Sequence, residues 1–201
     1  ALLHDIGRFE QLKRYDSFEP GTMDHAAYGV KVLFDEGMIR HFLPDDKWDS
    51  IIYTAIAHHS DYELPEISDP QTLLHAKLIR DEDKLDNCRV KLVDSTSTFI
   101  NVSEEELGAQ NITQKVYETV FKNKCILSAD RVTQMDYWVS YIVYFFDINF
   151  KESFDIIAEN NYLNRIIDRI PYSNPVTKEQ MENIRVYMQN FINSHTNSQS
   201  F

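Results

Sequence analysis

Residues 69–93 read DPQTLLHAKLIRDEDKLDNCRVKLV, and this stretch decides the fold class. Asp69 is a residue type that caps helices and Pro70 suits the first helical position, so the pattern predicts a helix that continues to about Val93. One predicted side carries Ala76, Ile79, Asp83, Asp86 and Val90, and the other carries Leu74, Leu78, Asp81, Leu85 and Leu92. Both sides are apolar, and carboxylates interrupt each of them.

The rest of the chain also favours helices. Its 201 residues include only 5 Gly and 6 Pro, with 43% hydrophobic and 26% charged residues, so we expect an all-α fold with little or no sheet. After a break at FEPGT (18–22), a helix capped by Asp24 is predicted to run to about Glu36, and another carries Trp48 through His59. Further helices are predicted at 137–146, at 162–170 and from a capping box at Thr177 and Gln180 to about Ile192, before a frayed tail at 194–201.

Charge and cysteine usage narrow the function classes. The net charge of −12 disfavours nucleic acid duplexes as partners, although a bound cation would still admit free nucleotides. Cys88 and Cys125 lack the spacing of a disulfide framework or a thiolate zinc site, which indicates a cytoplasmic protein. No apolar run approaches the roughly 20 residues that span a bilayer, so we expect no membrane association.

Two histidines are predicted to face inward. His59 shares an apolar stripe with Ile52, Ala55 and Ile56, whereas His58 lies on its flank. A lone histidine on such a face is usually a core residue with one hydrogen bond. His25, however, also shares an inward face, on which Gly29 permits close approach of another segment.

Buried carboxylates strengthen the interpretation of these histidines as metal ligands. An ionised carboxylate without a partner is costly to bury, so it is paired, protonated or bound to a cation. Asp81 and Asp86 could pair with nearby Arg80, Lys84 or Arg89, and periodicity alone does not choose Asp83 over Asp81. With His4 and Asp5, the chain offers nitrogen and oxygen ligands from four segments, a set that suits Mn, Fe, Co, Ni or Zn.

Four motifs in succession resemble those of the HD phosphohydrolase superfamily. They are ALLHDIGRFEQ at 1–11, DHAAYGVKVL at 24–33, AIAHHSDYELP at 55–65 and IRDEDKLDN at 79–87. The resemblance implies an HD-domain helical bundle at 1–94, with additional C-terminal helices at 95–201 packed on the same core. The doubled His58 and His59 also resemble the HD-GYP branch, but the Gly-Tyr-Pro signature is missing, so a cyclic-di-GMP phosphodiesterase is not supported.

The resemblance also implies a ligand set. Core ligands would be His4, Asp5 and Asp83, and a second ion would add His25 and His59, with His58 as a further candidate. The family's first histidine, upstream of the HD pair, is not in this chain. Either the first ion has one protein ligand fewer or, as we expect, residues precede Ala1.

The expected function is that of a metal-dependent phosphohydrolase. One or two divalent ions would activate water, with Asp5 as the shared ligand, and the substrate would be a small phosphomonoester or phosphodiester, for example a nucleotide. Arg8 and Lys84 are candidates to hold phosphate oxygens, or else surface cations and salt-bridge partners. The alternatives are an HD-fold regulatory or binding module without turnover, and a helical domain with satisfied core histidines. The sequence leaves room for an oligomer.

Overall fold

The computed structural model describes residues 2–18 and 21–196, and within these ranges every regular element is a helix. The all-α prediction is thereby confirmed for the described residues. Two compact units divide the chain, Ala1–Asp83 and Lys84–Phe201. The sequence-based division into 1–94 and 95–201 stays a prediction. Among the described helices, none combines the length and apolar character that crossing a membrane requires.

The first unit contains three short helices and the first part of a long one. These are α1 (Gly7–Tyr15), α2 (His25–Val30), α3 (Asp49–Ala57) and the beginning of α4 (Pro70–Val93). Helix α2 continues as a π-helical segment at Lys31–Asp35, and a 3-10 turn follows at Met38–His41. Val30, Leu33, Ile39 and Ile56 form the apolar core of this unit.

Local signals account for where two of these helices begin. The Asp24 carboxylate accepts a hydrogen bond from the Ala27 backbone N–H, which confirms the predicted cap of α2. The Asp69 carboxylate accepts from both the backbone N–H and the hydroxyl of Thr72, so α4 begins and ends as predicted. The prediction that Leu74 and Leu78 belong to an apolar buried side is wrong, because both are exposed.

Gly7 lets α1 and α2 approach each other closely. A Cβ atom at this position would overlap the backbone carbonyl oxygen of His25, and it would also crowd the backbone nitrogen of Gly29. No residue larger than glycine therefore fits here without a shift of one helix. This close approach brings the segment just before α1 next to the first residue of α2.

The second unit is built from α5 to α11 around a large apolar core. The helices are α5 (Thr96–Ile100), α6 (Glu104–Gly108), α7 (Gln114–Val120), α8 (Gln134–Val143), α9 (Lys151–Glu159), α10 (Tyr162–Asp168) and α11 (Pro175–Thr196). The largest fully buried apolar side chains of this unit are Trp138, Phe145, Leu107, Met135, Ile142, Ile157, Ile166, Ile167 and Met181. Two 3-10 turns, Ser128–Asp130 and Tyr144–Asp147, flank α8.

The predicted cap of the last helix is wrong. Helix α11 begins at Pro175, two residues before Thr177, and the Asn174 side chain accepts hydrogen bonds from the backbone N–H groups of Val176 and Thr177. Thr177 is instead buried within the helix, where its hydroxyl donates to the carbonyl oxygen of Gln110. The helix reaches Thr196, and the remainder of the predicted frayed tail, 197–201, lies outside the described residues.

Candidate metal centre

The first elements of the candidate site are His4 and Asp5, which lie in the turn immediately before α1. The Asp5 carbonyl accepts a hydrogen bond from the Arg8 backbone N–H at 2.9 Å, so the turn leads directly into the helix. The Oδ1 atom of Asp5 is buried, and no neighbouring donor is aligned to form a hydrogen bond with it. A buried carboxylate oxygen of this kind needs a cationic or hydrogen-bonding partner to offset the cost of burial.

His25, the first residue of α2, reaches this oxygen. Its Nε2 atom lies 3.3 Å from Asp5 Oδ1, and its side chain is largely buried. The close approach at Gly7 and the cap at Asp24 fix this part of α2, so they place the imidazole beside the carboxylate.

His59 is the third member, and a backbone hydrogen bond fixes its tautomer. The helix α3 ends at Ala57, two residues earlier than predicted, and His59 follows in the turn with 2% of its surface exposed. Its Nδ1 lies 2.7 Å from the carbonyl oxygen of Ile56, which can only accept, so Nδ1 carries the hydrogen. In the neutral ring Nε2 is then a bare lone pair, the form that binds metals.

The three atoms Asp5 Oδ1, His25 Nε2 and His59 Nε2 form a nearly equilateral triangle. Its edges are 3.1 Å between the two nitrogens and 3.3 and 3.4 Å from them to the oxygen. The centre of such a triangle lies about 1.9 Å from each corner, whereas a divalent ion binds histidine nitrogen and carboxylate oxygen at about 2.0–2.2 Å. These three atoms are therefore spaced closely enough to share one divalent ion, so the residues fit a metal.

Further ligand atoms lie on the other side of Asp5. His4 Nε2 is 3.8 Å from Asp5 Oδ2 and 3.7 Å from Asp83 Oδ1. One ligand atom each from His4, Asp5 and His59 lie within 4.8 Å of one another, a group that could hold a metal ion. Asp5 thus has imidazoles near both of its oxygens, and Asp83 joins the cluster through His4.

Electrostatics keep Asp5 ionised and the ring of His25 uncharged. Burial by itself raises the pKa of Asp5, but the nearby imidazoles of His25 and His59 and the charge of Arg8 together hold that pKa below its ordinary value. Burial lowers the pKa of His25, and the neighbouring Asp5 offsets this only in part. Near neutral pH the carboxylate is therefore ionised and the His25 ring is uncharged.

Two predicted site residues have other partners. His58 Nδ1 lies 2.6 Å from Asp61 Oδ2 on the same turn, so this ring pairs with a carboxylate outside the triangle. Lys84 is the first residue of the second unit, and its ammonium lies 2.7 Å from Asp147 Oδ2 within that unit. The carboxylate pairing weighed for Asp86 is present, because Arg89 donates to it through two nitrogens.

Arg8 lies beside the cluster, and a buried glutamine fixes its direction. The Arg8 Nε atom is 3.4 Å from Asp5 Oδ1, and its Nη1 donates to Gln11 Oε1 at 3.0 Å. Gln11 is fully buried and donates in turn to the hydroxyl of Thr22. Sequence reasoning missed Gln11, although its spacing of three residues from Arg8 on a helix could have indicated the contact.

The sequence pattern predicts Arg80 only as a salt-bridge partner of the nearby acids. In the structure its guanidinium donates to backbone carbonyls of the turn that carries His59. No sequence signal indicates this contact, because it joins α4 to the end of another helix.

Comparisons of the chain with protein-family models, with curated proteins and with solved structures find no match. The function must therefore be argued from the geometry of the cluster and from the resemblance of its motifs.

Proposed function

We propose that this chain is a metal-dependent hydrolase of the HD type that acts on a phosphomonoester or phosphodiester, for example a nucleotide. The observation that carries the proposal is the triangle of Asp5 Oδ1, His25 Nε2 and His59 Nε2, with edges of 3.1–3.4 Å. Two imidazole nitrogens and a carboxylate oxygen at these separations are suited to bind one metal ion together. Without a cation, the buried carboxylate oxygen would be costly to bury.

The residues that would hold the metal follow from the two sides of Asp5. Its Oδ1 atom, with His25 and His59, would hold one divalent ion, and its Oδ2 atom, with His4 and Asp83, offers ligands for a second. This nitrogen and oxygen set suits Mn, Fe, Co, Ni or Zn. A divalent ion in such a site supplies Lewis acidity and lowers the pKa of a coordinated water towards neutrality.

The side chains around the cluster would bind and orient the phosphate. Arg8 is the favoured contact, since its guanidinium is partly exposed beside Asp5 and is directed by Gln11. Lys84, the other candidate that the sequence offers, pairs with Asp147 within the second unit. The net charge of −12 favours a small substrate over a long polyanion, because the positive charge of Arg8 and of a bound ion would act only locally.

The experiment that tests the proposal is elemental analysis combined with a panel of phosphomonoesters, phosphodiesters and nucleotides. We expect stoichiometric transition metal and turnover in the unmodified protein, with both reduced in His59→Ala and Asp83→Ala. His75→Ala is the matched control, because this exposed histidine of α4 lies outside the cluster. Unchanged metal content in both cluster variants would refute the ligand assignment.

Metal binding without turnover of any substrate would favour the alternative, a regulatory or binding module that retains the fold. A protein that binds no metal when supplied with each candidate ion would instead be a helical domain whose histidines serve the core.

A further inference from the structure

The guanidinium of Arg80, on α4, is buried and donates hydrogen bonds to three backbone oxygens. Its residue is 1% exposed, and Nη1 donates to the carbonyls of His58, His59 and Asp61 at 2.9, 3.3 and 2.7 Å. Burying a guanidinium is costly unless it is well bonded, so this arrangement indicates a specific requirement at the turn it contacts.

That turn follows the C-terminal end of α3, whose C-cap residue is His58. The last carbonyls of a helix have no partner inside the helix, and they carry the negative end of its dipole. Arg80 supplies both a donor and a positive charge at this end, from a residue about twenty positions later in the chain. It therefore bonds the C-cap residue His58 and the turn beyond it, and its positive charge lies near the negative end of the α3 dipole.

The same turn positions His59. Arg80 holds the backbone carbonyl of His59 and those of two neighbours, while Ile56 O holds the Nδ1 side of the ring. Backbone and ring are thus fixed independently, and together they direct Nε2 towards Asp5 and His25. A ligand that is fixed before the ion arrives loses little conformational entropy on binding.

We propose that Arg80 is a positioning residue for the metal centre, which holds the 58–61 turn so that His59 presents its bare Nε2 to the cluster. This inference rests on the proposed function in so far as it concerns metal affinity. The effect of Arg80 on the tautomer of the His59 ring does not depend on a metal and can be measured in the metal-free protein.

The first experiment measures Mn²⁺ binding by isothermal titration calorimetry, well below the unfolding temperature. We expect Arg80→Gln to weaken binding roughly 10- to 100-fold with unchanged stoichiometry, the usual effect of removing a partner of a ligand. Arg80→Lys, which keeps the charge but not the planar group, should lose less. Arg89→Gln is the matched control, because Arg89 lies on the same helix and pairs with Asp86 on the surface.

The second experiment records the imidazole ¹⁵N signals of His59 in the metal-free protein. The unmodified protein and Arg89→Gln should show a single tautomer with hydrogen on Nδ1, whereas Arg80→Gln should show a mixture. A residue that served stability alone would lower the unfolding temperature without changing either the tautomer or the Mn²⁺ affinity of the folded protein. That result, in a folded Arg80→Gln or Arg80→Lys variant, would overturn the inference.

The unmodified protein provides a further measurement if both Arg80 variants fail to fold. The buried and bonded Nη1 protons of Arg80 should exchange slowly with solvent, as slowly as the amides of the 58–61 turn. Rapid exchange would show that the guanidinium does not hold the turn. If the unmodified protein binds no Mn²⁺ while the tautomer results hold, the proposed function fails and the positioning role survives.

Discussion

Replacing Gly7 by alanine should damage both the fold of the first unit and the metal centre. The new Cβ would overlap the backbone oxygen of His25, and backbone atoms cannot move aside as a flexible side chain can. Restoring an ordinary contact requires this 2.0 Å separation to grow to at least 3.4 Å, so α1 and α2 must separate by about 1.4 Å. Overpacking at a helix contact typically costs 1–3 kcal/mol, and we expect the upper end, about 3 kcal/mol, because both groups are backbone-fixed.

The same shift should disrupt the triangle. Moving the helices apart by about 1.4 Å would lengthen the 3.3 Å separation of Asp5 Oδ1 and His25 Nε2 to as much as about 4.7 Å. Two ligands on one ion at bond lengths of about 2.1 Å span at most about 4.2 Å, and only when they are opposite each other. We therefore expect Gly7→Ala to weaken Mn²⁺ binding at least tenfold.

The assay combines urea unfolding with calorimetric Mn²⁺ titration, and Gly37→Ala serves as the control. Gly37 has a φ of 77° but nothing within 4 Å of its ideal Cβ position, so alanine there should cost about 1 kcal/mol of backbone strain. Its Mn²⁺ affinity should remain that of the unmodified protein. A Gly7→Ala variant with the stability and affinity of the unmodified protein would refute the reasoning about the close approach.

Three further outcomes are expected. Asp136→Ala should lower the free energy of unfolding by about 3–5 kcal/mol in urea melts. The reason is that this fully buried carboxylate accepts hydrogen bonds from the backbone N–H groups of Thr113, Val132 and Thr133. A loss below about 1 kcal/mol would contradict this expectation. Cys88 should resist iodoacetamide at pH 8 until the protein unfolds, because burial raises the pKa of its thiol to about 12. Detection of modified Cys88 in the folded protein by mass spectrometry would contradict the burial of this thiol. Hydrogen bonds from the Thr72 hydroxyl and backbone N–H lower the pKa of Asp69. The contribution of Asp69 to stability should therefore be present above its unfolded pKa near 4, and it should be lost as the pH falls through the folded pKa. A ¹³C titration midpoint at or above the ordinary pKa would exclude this.

Local chemistry explains which helices could be predicted. Asp69 and Pro70 mark the beginning of α4 because cap and first-turn preferences depend only on neighbouring residues. The same preferences explain the error at α11, where a capping-box pattern at Thr177 competes with Asn174 before Pro175. The second arrangement prevails since Thr177 is buried against the chain at Gln110, a tertiary contact that no local pattern reveals.

The site was less accessible to sequence reasoning than the helices. Periodicity placed His25 and His59 inward, and both are buried. It placed His58 on the flank of the stripe, but it did not show that His58 pairs with Asp61. It also did not distinguish Asp81 from Asp83, because the two predicted sides of the helix that carry them are both apolar. In the structure Asp81 is buried, whereas Asp83 is partly exposed and faces His4. The resemblance, and not the helix pattern, selected Asp83.

The 3.1 Å contact between His25 Nε2 and His59 Nε2 has a consequence for how an ion is loaded. Since the neutral His59 ring is bare at Nε2, the hydrogen between the two rings belongs to His25. An arriving cation needs the lone pair of His25 Nε2, so the hydrogen on this atom must move to Nδ1 of the same ring. Loading an ion would then require this proton transfer, which a rise of the uptake rate with buffer concentration at constant pH would reveal.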